Sequence, residues 1–315
     1  MTLKQLIKVE NLKKTYKGNI QALDGLSFEV DKGNIFGLIG PNGAGKSTAI
    51  KIMTTLTRAD SGSVRIVDYD VNTEPNRIRK IIGCVSQNSG VFREGTAREN
   101  LILQGELYGM NGRELRTRVA ELLDDFGLNE AADRIAATYS GGMLRKLDVA
   151  LGLIHRPQIL FLDEPTTGLD PEARSSLWEI ILSMSKQENV TILLTTHYLE
   201  EVDRLADKLA IVNAGKVIAE GTPASLKQAL NEDMIHISLD STAELQTDII
   251  EKTLSSLENV YRVNIEDNII KLRVAKASST LVDILQVFAA HQINVLNASV
   301  ITPTIDEVYL KYTKK

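Results

Sequence analysis

A chain of 315 residues can fold as one large domain with a small one attached, and 43% hydrophobic with 24% charged residues is an ordinary globular balance. A net charge of −5 argues against nucleic acid as the main partner, because neutralising phosphates takes clustered Lys and Arg. One cysteine, Cys84, excludes an internal disulfide framework and fits a reducing compartment.

Along the chain, residues 1–35 read as short strands with turns, among them 7–9 and 26–30. The opening MTLKQLIKVENLKK has no apolar core of signal-peptide length. No stretch approaches the ~18–20 apolar residues needed to span a bilayer, so another chain must supply any spanning helices. Residues 35–39, IFGLI, have the pattern of a buried parallel strand, and a helix follows from Lys46 through Met53. Cys84, within the apolar run 81–85, is expected to be a buried small residue. Residues 96–135 change character. Leu115, Val119, Leu122, Leu123 and Phe126 recur at helical spacing on a charged background, which predicts a helical insert (about 88–145) packed against the core.

An amphipathic helix begins near Ser140, with Leu144, Leu147, Leu151 and Ile154 as its apolar positions. Two more apolar runs, 159–162 and 190–194, end in polar residues, where open α/β sheets hold their ligands. Residues 208–212 and 216–219 read as a strand pair around Asn213-Ala214-Gly215. The expected fold is therefore an α/β domain over 1–225 with a parallel core sheet. From Pro223 a different pattern starts, and 226–315 is expected to be a small α+β accessory domain. Its elements are a strand at 235–239, a helix ending near Leu257 and a hairpin of 260–265 with 268–274 turning at Glu266-Asp267. A helix over 279–290 and a closing strand follow.

The segment Gly40, Pro41, Asn42, Gly43, Ala44, Gly45, Lys46, Ser47, Thr48 matches the P-loop pattern. Its glycines let successive backbone N–H groups turn toward a β-phosphate, and the helix behind presents its positive N-terminus. Lys46 suits the β- and γ-phosphates, and Ser47 offers a hydroxyl to Mg²⁺. After the run 159–162, Asp163 can hold the metal shell and Glu164 can orient and deprotonate water. His197, ending the third strand, is placed to contact the γ-phosphate.

The P-loop, Ser140-Gly141-Gly142, LDEPTTGLD (162–170) and Thr195-Thr196-His197 occur in one chain in one order. Over roughly residues 5–225 this resembles the ABC ATPase family. The resemblance implies a P-loop NTPase core with an antiparallel β subdomain and a helical insert, using ATP and Mg²⁺. Position by position it makes Tyr16 the aromatic that stacks on adenine and Gln87 the glutamine that senses the γ-phosphate through Mg²⁺ and water. It makes Ser140, Gly141 and Gly142 the signature closing over a partner subunit's ATP, and Asp170 the aspartate crossing the dimer interface. Ser47, Gln87 and Asp163 become the metal set, with Glu164 and His197 catalytic. Asp170 before Pro171 also reads as a helix N-cap, and the two roles are compatible.

Tyr139 and Met143 depart from the family's usual Leu and Gln, while the Ser-Gly-Gly is intact. TYSGGMLRKLDVA (138–150) and TPTIDEVYL (302–310) are similar to the daunorubicin-resistance-type branch. That branch implies efflux of a drug-like or hydrophobic compound through a separate ABC-2-type integral membrane permease. It puts the ATPase peripheral on the cytoplasmic face of the cell membrane. One P-loop and one signature make self-pairing into a homodimer the default. The alternative is a soluble ABC ATPase acting on ribosomes or DNA. Ribosome-associated members carry two ATPase units, and DNA-repair members carry long coiled coils or zinc ligands; this chain has neither. Val91 and Phe92, just past Gln87, lack an evident core partner. They are readable either as a permease contact or as burial against the insert.

Overall fold

In a computed structural model the strands β1 (Gln5–Tyr16) and β2 (Ile20–Asp31) alternate buried and exposed residues, so one face of an antiparallel ribbon packs inward. The described residues are 5–230, 233–240, 250, 254, 257, 259–266, 268–274, 277–291, 293–301 and 303–313. Both strands run twelve residues, longer than the sequence pattern suggests, because bulges carry the pairing across polar interruptions. One register shift lies between Val9 and Leu12, where Asn11 is left-handed at φ 48°. With β4 (Ser61–Ile66) and β5 (Tyr69–Asp70) they form a sheet of order β2-β1-β4-β5. The polar sequence SGSVRI of β4 carries no strand signal of its own.

The second sheet is the parallel core. In β3 (Ile35–Ile39) every residue is buried: Phe36 and Leu38 share a core with Phe28 of β2 on one face, and Gly37 lies against Val202 on the other. After β3 come α1 (Lys46–Met53), α2 (Pro75–Ile81) and β6 (Ile82–Val85), then the helical segment α3 (Ala97–Leu107) and α4 (Gly112–Asp125). There follow α5 (Gly141–Leu153), β7 (Ile159–Asp163), α6 (Pro171–Glu188), β8 (Thr191–Thr196), α7 (Leu199–Leu205), β9 (Lys208–Asn213) and β10 (Lys216–Gly221). The sheet order is β10-β9-β3-β8-β7-β6, parallel except for the β9–β10 hairpin.

One expectation fails here. Cys84 is exposed, because β6 is the edge strand and one of its faces lines a cleft with Leu56, Gln104 and Tyr108. The protein around it still pushes the thiol up to about 11, by burial first and then by the charge of Asp163.

The chain divides into two units at Pro223/Ala224, where α8 (Pro223–Gln228) begins. The second unit holds β11 (Asp233–Leu239), β12 (Val260–Glu266), β13 (Ile269–Val274), α9 (Ala277–Ala290), β14 (Val295–Ile301) and α10 (Ile305–Thr313). Its antiparallel sheet has the order β12-β13-β11-β14. Ile235, Ile237, Ile270 and Leu272 on one face of that sheet share a core with Ile284 and Phe288 of α9. Ile250 and Leu254 are helical and buried, while most of the helix expected to end near Leu257 lies outside the described residues. So does Asp267 in the hairpin turn. No helix among the described residues is long and apolar enough to cross a membrane.

Candidate nucleotide-binding site

At the C-terminal end of β3 the chain turns through 40–45 into α1. Gly43 (φ 82°) and Gly45 (φ 107°) take left-handed backbone, which glycine adopts without strain. The loop is also pressed against its neighbours: a Cβ on Gly45 would meet Ala22 O at 2.4 Å, and one on Gly40 would meet Val212 O at 2.2 Å. Pro41, Asn42 and Gly43 form an exposed rim, and Ala44 is buried beneath it. Lys46 is only 5% exposed. Its Nζ donates to Gly40 O at 2.7 Å and Pro41 O at 3.1 Å. Burial lowers its pKa, opposed by the charges of Glu164 and Asp163. The loop thus holds a cation inside a cup of backbone, facing two carboxylates.

Asp163 ends β7 and is buried. Ser47 Oγ, at the start of α1, donates to Asp163 Oδ1 at 3.2 Å, and Thr195 Oγ1 donates to the same oxygen at 2.5 Å. Glu164, the next residue, has φ 48°, uncommon for a residue with a side chain. Its N–H donates to Thr195 O at 3.0 Å, which fixes this turn and sends the carboxylate into the cleft. There Oε2 accepts from Gln87 Nε2 and from Thr167 Oγ1, each at 3.3 Å, and Oε1 lies 3.3 Å from His197 Nδ1. Tyr16 stands at the cleft's mouth, with the Lys14 ammonium 5.7 Å from its ring. Tyr16, Asn42 through Thr48, Gln87, Glu164 and His197 therefore share one cleft, with Asp163 at its back.

Ser140, Gly141, Gly142 and Asp170 lie outside it. Ser140 caps α5 by accepting from Met143 N at 3.2 Å, and Asp170 caps α6 by accepting from Ala173 N at 2.8 Å. The two caps adjoin, since a Cβ on Gly142 would meet Ala173 Cβ at 2.7 Å. A Cβ on Gly141 would meet nothing within 4 Å, so the chain's own packing does not require glycine there. Ser140, Gly141 and Asp170 are exposed. Of the two flanking departures, Tyr139 is structural: it is buried and its hydroxyl donates to Ala131 O at 2.5 Å.

Two functional candidates escape sequence reasoning. Arg145 of α5 is buried and donates to Pro165 O (2.7 Å), Ser86 O (2.8 Å), Asp163 O (3.1 Å) and Glu164 O (3.1 Å). Its planar fork joins the helix that starts at Ser140 to the loop holding Gln87 and to the backbone carbonyls of both acidic residues. One turn on, Asp148 Oδ1 accepts from Gly90 N at 2.8 Å. Burial raises the Asp148 carboxyl, opposed by the Ser89 and Gly90 hydrogen bonds and by the Arg145 charge. Two opposite charges at i, i+3 on a helix with Leu147 and Leu151 between its turns are the one sequence signal that points to them.

Residues 23–167 match the ABC transporter family, and residues 221–313 match the ATP-binding protein DrrA1-3-like C-terminal domain. The chain is 39% identical to the doxorubicin resistance ATP-binding protein DrrA of Mycobacterium tuberculosis, over 98% of this chain and 93% of that one. It is 45% identical to the daunorubicin/doxorubicin resistance ATP-binding protein DrrA of Streptomyces peucetius, over 74% of this chain and 70% of the relative. Among solved structures it resembles an ATP-binding cassette in a dimeric post-hydrolysis state bound to ADP and Pi. That likeness has a TM-score of 0.63 at 27% identity, over 69% of this chain and 98% of the other. With a P-loop, a caged lysine and an aligned carboxylate pair in one cleft, the chain belongs to the ABC transporter ATP-binding proteins of the daunorubicin-resistance branch and is an ATP-hydrolysing subunit.

Proposed function

We propose that two copies of this chain close over two MgATP and drive export of a hydrophobic or amphipathic drug-like compound through a separate ABC-2-type permease. The chain would work on the inner face of the cell membrane. ATP-binding subunits of this family pair and work with membrane permease components; the identity of this permease and of the cargo is the proposal. Export is supported by relatives named for daunorubicin/doxorubicin resistance and, in Bacillus subtilis, for linearmycin resistance. The ATPase work is assigned to residues 1–225, with 226–315 as an accessory domain.

The observation that carries this reading is the division of groups between two surfaces. Lys46, Asp163, Gln87, Glu164 and His197 converge on one cleft, while Ser140, Gly141, Gly142 and Asp170 face out of the same chain. A second copy can supply the missing half to each cleft. Ser47 and Asp163 offer adjacent hard oxygen donors, the small protein set that suits Mg²⁺. Mg²⁺, when bound, would neutralise charge between β- and γ-phosphate oxygens. Lys46 binds the same phosphates from the loop side. Glu164 takes the proton of the attacking water, and Gln87 and His197 keep its carboxylate aimed while facing the γ-phosphate. Gly141 leaves room for a partner's phosphates at the N-terminus of α5.

Tyr16→Ala is expected to weaken ATP binding by about 1–3 kcal/mol, the range for base–aromatic stacking, with triphosphate preference retained. Unchanged affinity in a calorimetric titration removes Tyr16 from the base site.

Permease docking is assigned to the cleft beside β6 and the loop after Gln87. Val91 is buried, so of the two loop residues only Phe92, 55% exposed, is free to meet a partner. Leu56 on the cleft wall is 70% exposed. Leu56→Ser with Phe92→Ser should leave ATP binding and the isolated subunit's hydrolysis near normal. Pull-down of an integral membrane chain from solubilised membranes should be lost. Full retention of that chain by the double variant moves the docking surface elsewhere.

A further inference from the structure

The sheet of the second unit has two edges, β12 and β14, and they are built differently. β12, VYRVNIE, carries Arg262 and Glu266 and a register shift between Val260 and Arg262. Charges and bulges are the ordinary means of keeping an edge strand from pairing with another chain. β14, VLNASVI, is seven residues with no charge and no proline, and none of them is buried. Its one register shift, opposite Ser238 and Leu239, leaves Leu296 as the extra residue. Leu296 is 69% exposed and Val300 41%. Among the described residues no strand lies on the outer side of β14. Every second residue of such a strand points its N–H and C=O away from its own sheet.

Helix α9 continues this apolar edge. It packs over β11 and β14, with Ile284 and Phe288 in the core and Val282, Leu285 and Ala289 exposed along one flank. β13 and β14 are both antiparallel to β11, hence parallel to each other. A right-handed crossover between them turns the Leu285 flank outward over β14. Helix and strand thus present one apolar margin, and the margin is self-complementary. Laid antiparallel on a second β14 about Ala298, Leu296 falls opposite the partner's Val300 and Asn297 opposite the partner's Ser299. Lying over β11 and β14, α9 would stand two strand spacings, about 10 Å, from its copy across that seam. That is the ordinary separation of packed helices.

We propose that β14 is a self-pairing edge: two copies join their accessory domains β14 to β14 about Ala298, merging two four-stranded sheets into one of eight strands. The occupant is a second copy because ATP-binding subunits of this family pair, so each pair brings two such edges together. The chain crossing at Pro223/Ala224 then holds them at high effective concentration. A two-fold contact of this kind closes on itself, so an unblocked edge builds a dimer and not a fibre. It keeps the two subunits joined while their nucleotide clefts open between turnovers. The proposal rests on the two-copy reading given above.

In a Cys84→Ser chain, Ala298→Cys leaves one thiol, on the seam where opposite Cα atoms stand about 4.5–5.5 Å apart, within disulfide reach. Mild oxidation of this full chain without nucleotide is expected to give a linked dimer as the main product. Leu296→Lys with Val300→Lys sets like charges against each other across the seam. It should weaken nucleotide-free self-association, read by sedimentation, by roughly tenfold or more. Leu296→Glu with Val300→Glu should do the same alone, and mixing the two double variants should restore the dimer, which a folding defect could not. An unlinked Ala298→Cys, a lysine double variant that self-associates normally, or a mixture that stays monomeric overturns the proposal. So does linkage of Ala298→Cys, in membranes, to a chain other than a second copy. Glu164→Gln with MgATP separates the two levels. If that variant fails to dimerise, the two-copy reading has failed. If it dimerises while Ala298→Cys stays unlinked, only the self-pairing of β14 has.

Discussion

Glu164→Gln is expected to bind MgATP with near-normal affinity and to lose about 10²–10⁴ in kcat, the span for removing a general base. The amide keeps the volume of the carboxylate and an oxygen that can accept from Gln87 Nε2 and Thr167 Oγ1, so the cleft keeps its shape. What disappears is the proton acceptor. With hydrolysis blocked, ATP should hold two copies together, and light scattering or sizing chromatography with MgATP should show the dimer accumulating. A variant that hydrolyses at the normal rate would mean that another group takes the proton. The φ of 48° at this position makes the swap to Gln a better test than a swap to glycine, which would also relieve the backbone.

The second large effect belongs to Lys46. Lys46→Ala should weaken MgATP binding by about 2–5 kcal/mol, the cost of deleting one partner of a buried charge pair, and so by roughly 30-fold or more in affinity. Turnover should fall with it. The ammonium also donates to Gly40 O and Pro41 O, so the variant leaves those carbonyls to water. A thermal melt separates that loss from the loss of binding: a small drop in Tm with a large rise in Kd is the expected pair. Normal binding and turnover would overturn the assignment of the whole loop.

Much of this site is legible along the sequence because its chemistry depends on local backbone. Residues 40–48 must be a turn of glycines before a helix, and a turn is specified by adjacent residues. The same holds for the carboxylates at the end of β7 and the histidine after β8, since runs of apolar residues announce a parallel strand and ligands sit where such strands stop. The branch, too, is legible, through 138–150 and the C-terminal segment.

Other features needed the fold. That Val91 is buried and Phe92 is not depends on which way one loop turns. Cys84 is exposed because its face of β6 lines an open cleft with Leu56 and Tyr108, a product of how the elements pack and not of its own apolar sequence. The long strands β1 and β2 need partners on which to bulge. Arg145 and Glu201 are the clearest cases. In sequence Glu201 reads as one more solvated charge on a helix, and Arg145 shows only its i, i+3 spacing from Asp148. Only packing shows that Arg145 spans four carbonyls from two loops and that Glu201 is sealed between α6 and α7. The physical reason is range: glycine turns and apolar periodicity are set by residues a few positions apart. A buried charge takes its meaning from groups that meet it only after the chain has closed, here 23 positions away for Glu201 and Trp178, and 59 for Arg145 and Ser86.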